Sequence, residues 1–239
     1  MREVFQREEE TLVNIETVMD AEDFQSTNPW LFSVFIKYDA NVLNEDYYEF
    51  LETKESLIIS LEHNKYAKYA GSRTVDGWTE LYFYAKDSKQ LDLTVAKFLG
   101  ESGYVFESNV VRDTKWDFYK AQLLPSDLEA HHIQSAKIIF LLAEEGDTLI
   151  HPREVEHYIV FDTPTQKDRF IESVQELGFA FKDDLSTEDF EHGVAVVKTS
   201  NVTYDEVKKM VEELLVLVKN QKAYYEGWST VLVLEEDTI

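Results

Sequence analysis

Apolar residues in the first half of the chain follow two different periods. Residues 30–38 form a nearly continuous apolar and aromatic run, which is typical of a strand buried on both faces. Apolar residues from Tyr47 to Leu61 instead recur at helical spacing. Asp76 and Gly77 separate two further apolar runs, and this dipeptide between two strands predicts a hairpin. The predicted order is β-α-β-β-α-β, with strands at 30–38, 66–73, 78–84 and 104–111 and helices beginning near Asn44 and Asp87.

The second half of the chain repeats this order of elements. Thr163, Pro164 and Gln166 combine a capping threonine, a proline in the first turn and a capping-box glutamine, so a helix is predicted to begin there. Thr203 and Glu206 predict a second capping box. The four strands are predicted at 156–161, 179–183, 193–199 and 224–234, with an acidic loop at Asp183 and Asp184 between the middle two.

Two copies of β-α-β-β-α-β predict an α+β fold with two ferredoxin-like domains and antiparallel sheets. Each sheet is expected to have four strands and two backing helices. Pro125 and the capping residues that follow it mark a boundary, so the predicted domains are residues 1–125 and 126–239. Residues 126–145 suggest a helix docked on one of the domains. Residues 11–18 alternate enough to suggest an extra edge strand.

The chain is strongly acidic. Its 239 residues include 47 Asp and Glu against 23 Lys and Arg, a net charge of −24, while a hydrophobic content of 44% supports a packed core. Such a charge repels phosphate backbones and anionic lipid surfaces, so direct binding to nucleic acid or to a membrane is not expected. There is no cysteine and no apolar segment resembling a signal peptide, so a cytoplasmic protein without disulfides or thiolate metal sites is expected.

No motif in the chain identifies an active site. Glycine-rich phosphate-binding motifs and the G-x-S-x-G elbow are absent from the sequence. His131 and His132 are adjacent on a predicted helix and point about 100° apart, and no H-x-x-x-H or H-E-x-x-H spacing occurs. No catalytic residue, cofactor or metal is therefore assigned. His151 and His157 flank an acidic segment and leave open an alternative, a small-molecule-binding or hydrolytic enzyme that uses a cleft between the domains.

Several motifs appear in the second half in a recognisable order. They are Pro152-Arg153-Glu154-Val155-Glu156-His157-Tyr158, Leu177-Gly178-Phe179, His192-Gly193-Val194 and Tyr225-Glu226-Gly227-Trp228. Over residues 126–239 they resemble the family named for regulator of ribonuclease E activity B (RraB). The resemblance implies an acidic cytoplasmic protein that binds ribonuclease E and restrains RNA degradation. The first half resembles a separate bacterial domain family of unknown function that is sometimes fused to the RraB-like domain, on Gly71-x-Arg73 and Asp113-x-x-Trp116-x-x-Tyr119.

Charge and resemblance together favour a non-enzymatic regulatory or adaptor protein. Its expected partner is a basic protein segment, such as one belonging to a ribonuclease E-type enzyme, because opposite charge steers such a segment toward an acidic surface. The oligomeric state is left open. The residues expected at the partner surface are Arg153, Glu154, Glu156, His157, Asp183, Asp184, Tyr225, Gly227 and Trp228.

Overall fold

The chain folds into two compact units. The structure, a computed structural model, describes residues 1–8, 10–63, 67–186 and 191–234. Unit 1 is Met1–Pro125 and unit 2 is Ser126–Ile239. Each unit contains one antiparallel sheet and α-helices, which confirms the predicted α+β fold.

Unit 1 contains six strands and two α-helices in its described residues. They are β1 (Arg2–Glu8), β2 (Leu12–Val18), β3 (Trp30–Ile36), α1 (Tyr47–Glu62), β4 (Ala67–Val75), β5 (Trp78–Ala85), α2 (Leu91–Leu99) and β6 (Phe106–Arg112). The strand order is β1-β2-β4-β5-β3-β6. The last four strands of this order have the ferredoxin-like arrangement, and the hairpin of β1 and β2 extends the sheet beside β4. The expectation of a four-stranded sheet is therefore wrong for unit 1.

Strand β1 was not predicted, because it lies at the edge of the sheet and most of its side chains are exposed. Its backbone pairs with β2 in seven positions, from Arg2 opposite Val18 to Glu8 opposite Leu12. Only Phe5 among its side chains is buried. A single buried residue leaves no alternation from which a strand could be read.

Both faces of the unit 1 sheet are covered. On one face, Lys54 of α1 donates a hydrogen bond to Ser72 of β4 (3.2 Å), and Ser72 lies opposite Leu81 of β5. Because side chains alternate along a strand, Tyr84 of β5 points to the other face. There its ring stacks on Trp116, with 3.7 Å between the ring centroids. The second face is therefore closed by the aromatic segment that follows β6.

This aromatic segment is held by hydrogen bonds as well as by stacking. Trp116 is fully buried, and its indole Nε1 donates to the backbone carbonyl of Asn28 (2.8 Å). The Tyr84 hydroxyl donates to the Asp113 carboxylate (2.6 Å). The Tyr119 hydroxyl donates to a backbone carbonyl of β2 (2.6 Å), and a short π-helical turn, Tyr119–Leu123, closes unit 1.

Unit 2 contains a four-stranded sheet and three α-helices in its described residues. They are α3 (Asp127–Glu144), β7 (Arg153–Phe161), α4 (Pro164–Gln175), β8 (Ala180–Leu185), β9 (His192–Ser200), α5 (Tyr204–Gln221) and β10 (Tyr224–Thr230). The order β10-β7-β9-β8 is again ferredoxin-like. The third helix is the docked helix expected from residues 126–145, since α3 spans Asp127–Glu144 and packs on α5 and β10. None of the helices within the described ranges has the length and apolar character needed to cross a bilayer.

The two predicted capping boxes have different outcomes. At the start of α4, the Thr163 hydroxyl accepts from the Gln166 amide (3.4 Å), and the Gln166 side chain accepts from the Thr163 amide (2.9 Å). This box is confirmed. At the start of α5 the prediction is wrong, because the Thr203 hydroxyl donates to the Asn201 side chain (2.8 Å) and caps no helical amide.

Candidate functional site

Strand β7 presents different chemistry on its two faces. Val155, His157 and Ile159 are 0% exposed, and Val155 and Ile159 belong to the core that the sheet shares with the helices. Because successive side chains point to opposite faces of a sheet, Glu154 and Glu156 lie on the side away from the helices. We call this side of the unit 2 sheet the open face.

Four charged residues form a carboxylate–lysine cluster on the open face: Glu154, Glu156, Lys182 and Asp183. The Lys182 ammonium lies 2.8 Å from a carboxylate oxygen of Glu154 and 2.8 Å from one of Glu156. These two hydrogen bonds raise the pKa of Lys182 above its ordinary value. Three carboxylates against one ammonium leave the cluster with a negative net charge.

The prediction of an acidic loop at Asp183 and Asp184 is wrong, because both residues lie in strand β8, which continues to Leu185. Asp183 pairs with Ala195 of β9 and shares the open face, whereas Asp184 pairs with the buried Val194 and points toward the helix side. The Asp184 carboxylate there accepts from Lys167 of α4 (2.8 Å). An exposed edge strand carries polar residues on both faces, and for that reason its sequence resembles a loop.

Three of the residues expected at the partner surface are buried in unit 2 instead. His157, Tyr225 and Trp228 are 0%, 7% and 6% exposed. The Nδ1 atom of His157 lies 2.7 Å from the Tyr225 hydroxyl, and the Trp228 indole donates to the Ser135 hydroxyl of α3 (3.0 Å). Burial, with a smaller effect of the Lys198 charge, lowers the pKa of His157 to about 3. These side chains therefore join β7, β10 and α3 as part of the interior.

Arg153 is also buried, in an ion pair with Asp147. The Asp147 carboxylate accepts from the backbone amides of Leu149 (2.7 Å) and Val233 (3.0 Å), and Arg153 donates to the Val231 carbonyl (3.1 Å). Burial of the carboxyl works in the opposite direction, but the hydrogen bonds from Arg153 and the two amides lower the pKa of Asp147 to about 2. Arg153 thus anchors the segment that follows β10.

The remaining predicted residues do not assemble a reaction centre. Gly227 lies at a β-bulge in β10 with a φ of 127°, a conformation that favours glycine. His151 precedes β7, and its backbone carbonyl accepts from Arg153 (3.1 Å). Since the His157 ring is enclosed in the core, the two histidines do not offer two accessible imidazoles to a substrate. Within the described ranges, no three His, Asp or Glu side chains are placed to hold a metal ion.

Lys182 is the residue of the cluster that the sequence analysis missed. It stands 28 residues from Glu154 and 26 from Glu156, and nothing in the linear sequence connects them. The strand order of unit 2 brings them together. Only knowledge of the sheet register could have indicated this contact.

The two units match two different families. Residues 132–230 match the family described as Regulator of ribonuclease activity B (RraB). Unit 2 is RraB-like. Residues 13–124 match a family of unknown function (DUF695). The open face and its carboxylate–lysine cluster therefore lie within the RraB-like region, whereas the sheet of unit 1, except for β1, lies within the match of unknown function.

Two solved structures are similar to most of the chain at low identity. An unknown protein from Galdieria sulphuraria is 11% identical, over 85% of this chain and 99% of its own, with a TM-score of 0.22. A protein from Bacteroides thetaiotaomicron is 10% identical, over 86% of this chain and 94% of its own, with a TM-score of 0.20. No curated protein matches the chain.

Proposed function

We propose that this chain is a non-enzymatic regulator that binds a ribonuclease, and that the open face of unit 2 receives a basic segment of that enzyme. The RraB match supports regulation of a ribonuclease. The exposed carboxylates of Glu154 and Asp183 support a basic partner segment. The single observation that carries the proposal is the carboxylate–lysine cluster on a sheet face that lies within the RraB-like region.

Charge around the cluster favours the same partner. Unit 2 contains 24 Asp and Glu against 10 Lys and Arg, so its field attracts cationic segments before contact. Exposed pairs of this kind raise association rates more than they raise affinity. They are screened over a Debye length of about 8 Å at physiological ionic strength, so binding should weaken as salt rises.

The proposed partner is a ribonuclease E-type enzyme, and the proposed outcome is restrained RNA cleavage. A disordered arginine-rich segment beside a catalytic domain would be attracted to the open face and could order on it. The chain itself is not expected to bind RNA, because its net charge of −24 opposes a phosphate backbone. Regulation would therefore act through the enzyme and not through its substrate.

The test compares two charge-reversal variants of the full chain. Glu154→Lys with Glu156→Lys alters the cluster. Asp92→Lys with Glu101→Lys makes the same change in net charge at exposed positions of unit 1. Binding to a purified ribonuclease E-type enzyme and the rate of RNA cleavage are measured at two salt concentrations.

The cluster variant should lose most binding and most of the restraint of cleavage, while the unit 1 variant keeps both. Equal losses of binding in the two variants would show that net charge alone causes the effect, and would contradict the open face as the binding site. Absence of binding by the unmodified chain would refute the proposal.

A further inference from the structure

Lys182 occupies an unusual position in strand β8. The pairing of β8 with β9 shifts register between Phe181 and Asp183, so Lys182 is the extra residue of a β-bulge. A bulge bends an edge strand and redirects one side chain. Here it directs the lysine over the open face instead of along the free edge of the sheet.

The Lys182 side chain must cross strand β9 to reach its partners. Strand β9 lies between β8 and β7 in the sheet, and Glu154 and Glu156 are on β7. The residues of β9 on the open face include Ala195, Val197 and Thr199, opposite Tyr158, Glu156 and Glu154. Ala195 and Val197 are the two that lie beside the β8 bulge. Their small size leaves room for an aliphatic stem above them. The ammonium then ends 2.8 Å from both glutamates.

We propose that Lys182 is an internal occupant of a cation site formed by Glu154 and Glu156, and that an arginine side chain of the partner displaces it. This inference rests on the proposed function and specifies how its binding site works. The lysine keeps the two carboxylates paired while the partner is absent. Release of the lysine opens the site and uncovers Ala195 and Val197 beneath it.

The geometry favours arginine over lysine as the incoming group. Glu154 and Glu156 are two residues apart on one strand, so their Cα atoms are about 6.5 Å apart. The Lys182 ammonium already contacts both carboxylates, but it has only three donors for their four oxygens. A planar guanidinium has five donors and can pair with a carboxylate through two parallel hydrogen bonds. The aliphatic part of the arginine would pack on the two β9 side chains that the Lys182 stem leaves.

The direct test measures the chemical reactivity of Lys182 in the full chain. The probe is an octapeptide of alternating arginine and alanine, added to saturation. Trace acetylation of each lysine is read by mass spectrometry, with the exposed Lys97 of unit 1 as internal standard. A variant with Glu154→Gln and Glu156→Gln gives the reactivity of an unpaired Lys182 without peptide.

Peptide binding should raise the acetylation of Lys182 relative to Lys97 by roughly threefold or more, toward the level of the double-glutamine variant. An increase is distinctive, because simple covering by a ligand lowers the reactivity of a lysine. Unchanged or reduced acetylation in a chain that binds the peptide would overturn the displacement and leave the proposed function standing. If the unmodified chain does not bind the peptide, the proposed function itself fails.

A second measurement uses affinity. Lys182→Met keeps an apolar stem but removes the competing ammonium, and Lys97→Met removes the same charge from unit 1. The first variant should bind the octapeptide roughly two- to fivefold more tightly than the unmodified chain, and the second should differ less. The advantage should shrink when the arginines of the peptide are replaced by lysines. Equal effects of the two methionine variants would contradict the proposed competition.

Discussion

The two units use the same ferredoxin-like strand order but treat the second face of the sheet in opposite ways. In unit 1 the face opposite the helices is covered by the segment after β6, where Trp116 stacks on Tyr84 at 3.7 Å. In unit 2 the corresponding face carries Glu154, Glu156 and Lys182. One face has become part of the interior and the other has remained a charged surface.

This difference comes from residues at alternate positions of central strands. Tyr82 and Tyr84 of β5 supply aromatic area, and Phe118 and Trp116 cover them. Glu154 on β7 cannot be covered in that way without desolvating a charge, which is costly unless the charge is fully paired. A shared topology therefore does not determine whether a sheet face serves stability or recognition.

The largest expected effect is a loss of stability when the covered face of unit 1 is disrupted. Trp116→Ala should lower the free energy of unfolding of unit 1 by about 4 kcal/mol, because it removes a fully buried ring and its hydrogen bond to Asn28. Native-state hydrogen exchange of the β4 and β5 amides reports this quantity for unit 1 separately. Tyr48→Ala removes an aromatic ring of unit 1 that is 70% exposed and should cost far less. Similar losses of unfolding free energy in both variants would contradict the claim that Trp116 covers this face of the sheet.

The next effect concerns the interior of unit 2. Arg153→Met should lower the free energy of unfolding of unit 2 by about 3 kcal/mol, because Asp147 would keep a buried charge without its partner. Exchange of the β7 and β9 amides is the measurement. Lys182→Met removes a charge from the open face and serves as control, with a change within about 0.5 kcal/mol. An unchanged free energy of unfolding in Arg153→Met would contradict the structural role of the buried ion pair.

A pH effect should follow from the buried histidine. Burial lowers the pKa of His157 to about 3, whereas an unfolded chain takes up this proton near the ordinary value of 6.5. Only the unfolded state binds the proton between these values, so the free energy of unfolding falls as the pH falls from 6.5 toward 3 and is retained above 6.5. The expected slope is about 1 kcal/mol per pH unit.

The pH effect is measured as a difference between two profiles of unit 2 stability from pH 7 to pH 5. His131 and His132 also have lowered pKa values, caused first by burial, and contribute in the same direction. Subtracting the profile of His157→Phe removes their share. Parallel profiles would show that His157 titrates normally in the folded chain.

The smallest effect on stability belongs to the open face. Glu154→Gln with Glu156→Gln should change the free energy of unfolding of unit 2 by no more than about 0.5 kcal/mol, since exposed ion pairs contribute little. The same variant should lose affinity for the arginine octapeptide. Thermal unfolding and peptide titration of one sample measure both. A large loss of stability would show that these glutamates stabilise the fold of unit 2, contrary to their assignment to an exposed binding surface.

Local sequence rules predicted most of the regular structure. The 3.6-residue and two-residue periods located the β-α-β-β-α-β elements, and the capping box at Thr163 fixed one helix start. They failed where side chains are polar on both faces, as in β1 and at Asp184 in β8, because such an edge strand shows no alternation of apolar and polar residues. They failed again at Thr203, whose hydroxyl has a nearer partner in Asn201.

The candidate site was less predictable than the fold. Glu154 and Glu156 were identified from the motif around Arg153, but the same motif includes residues that the alternation of β7 buries. Which side of the strand faces the helices depends on contacts distant in sequence. The contact of Lys182 with both glutamates depends on the order of three strands. Neither is contained in a local pattern.

The most direct test of the open face is an amide NMR titration of the full chain with the arginine octapeptide. We expect shift changes to concentrate at Glu154, Glu156, Lys182 and Asp183 and at the β9 residues between them, with unit 1 unchanged. The changes should diminish as salt is raised. Shift changes confined to unit 1, or to α3, α4 and α5 with β7 and β8 unaffected, would contradict the assignment of the open face as the partner surface.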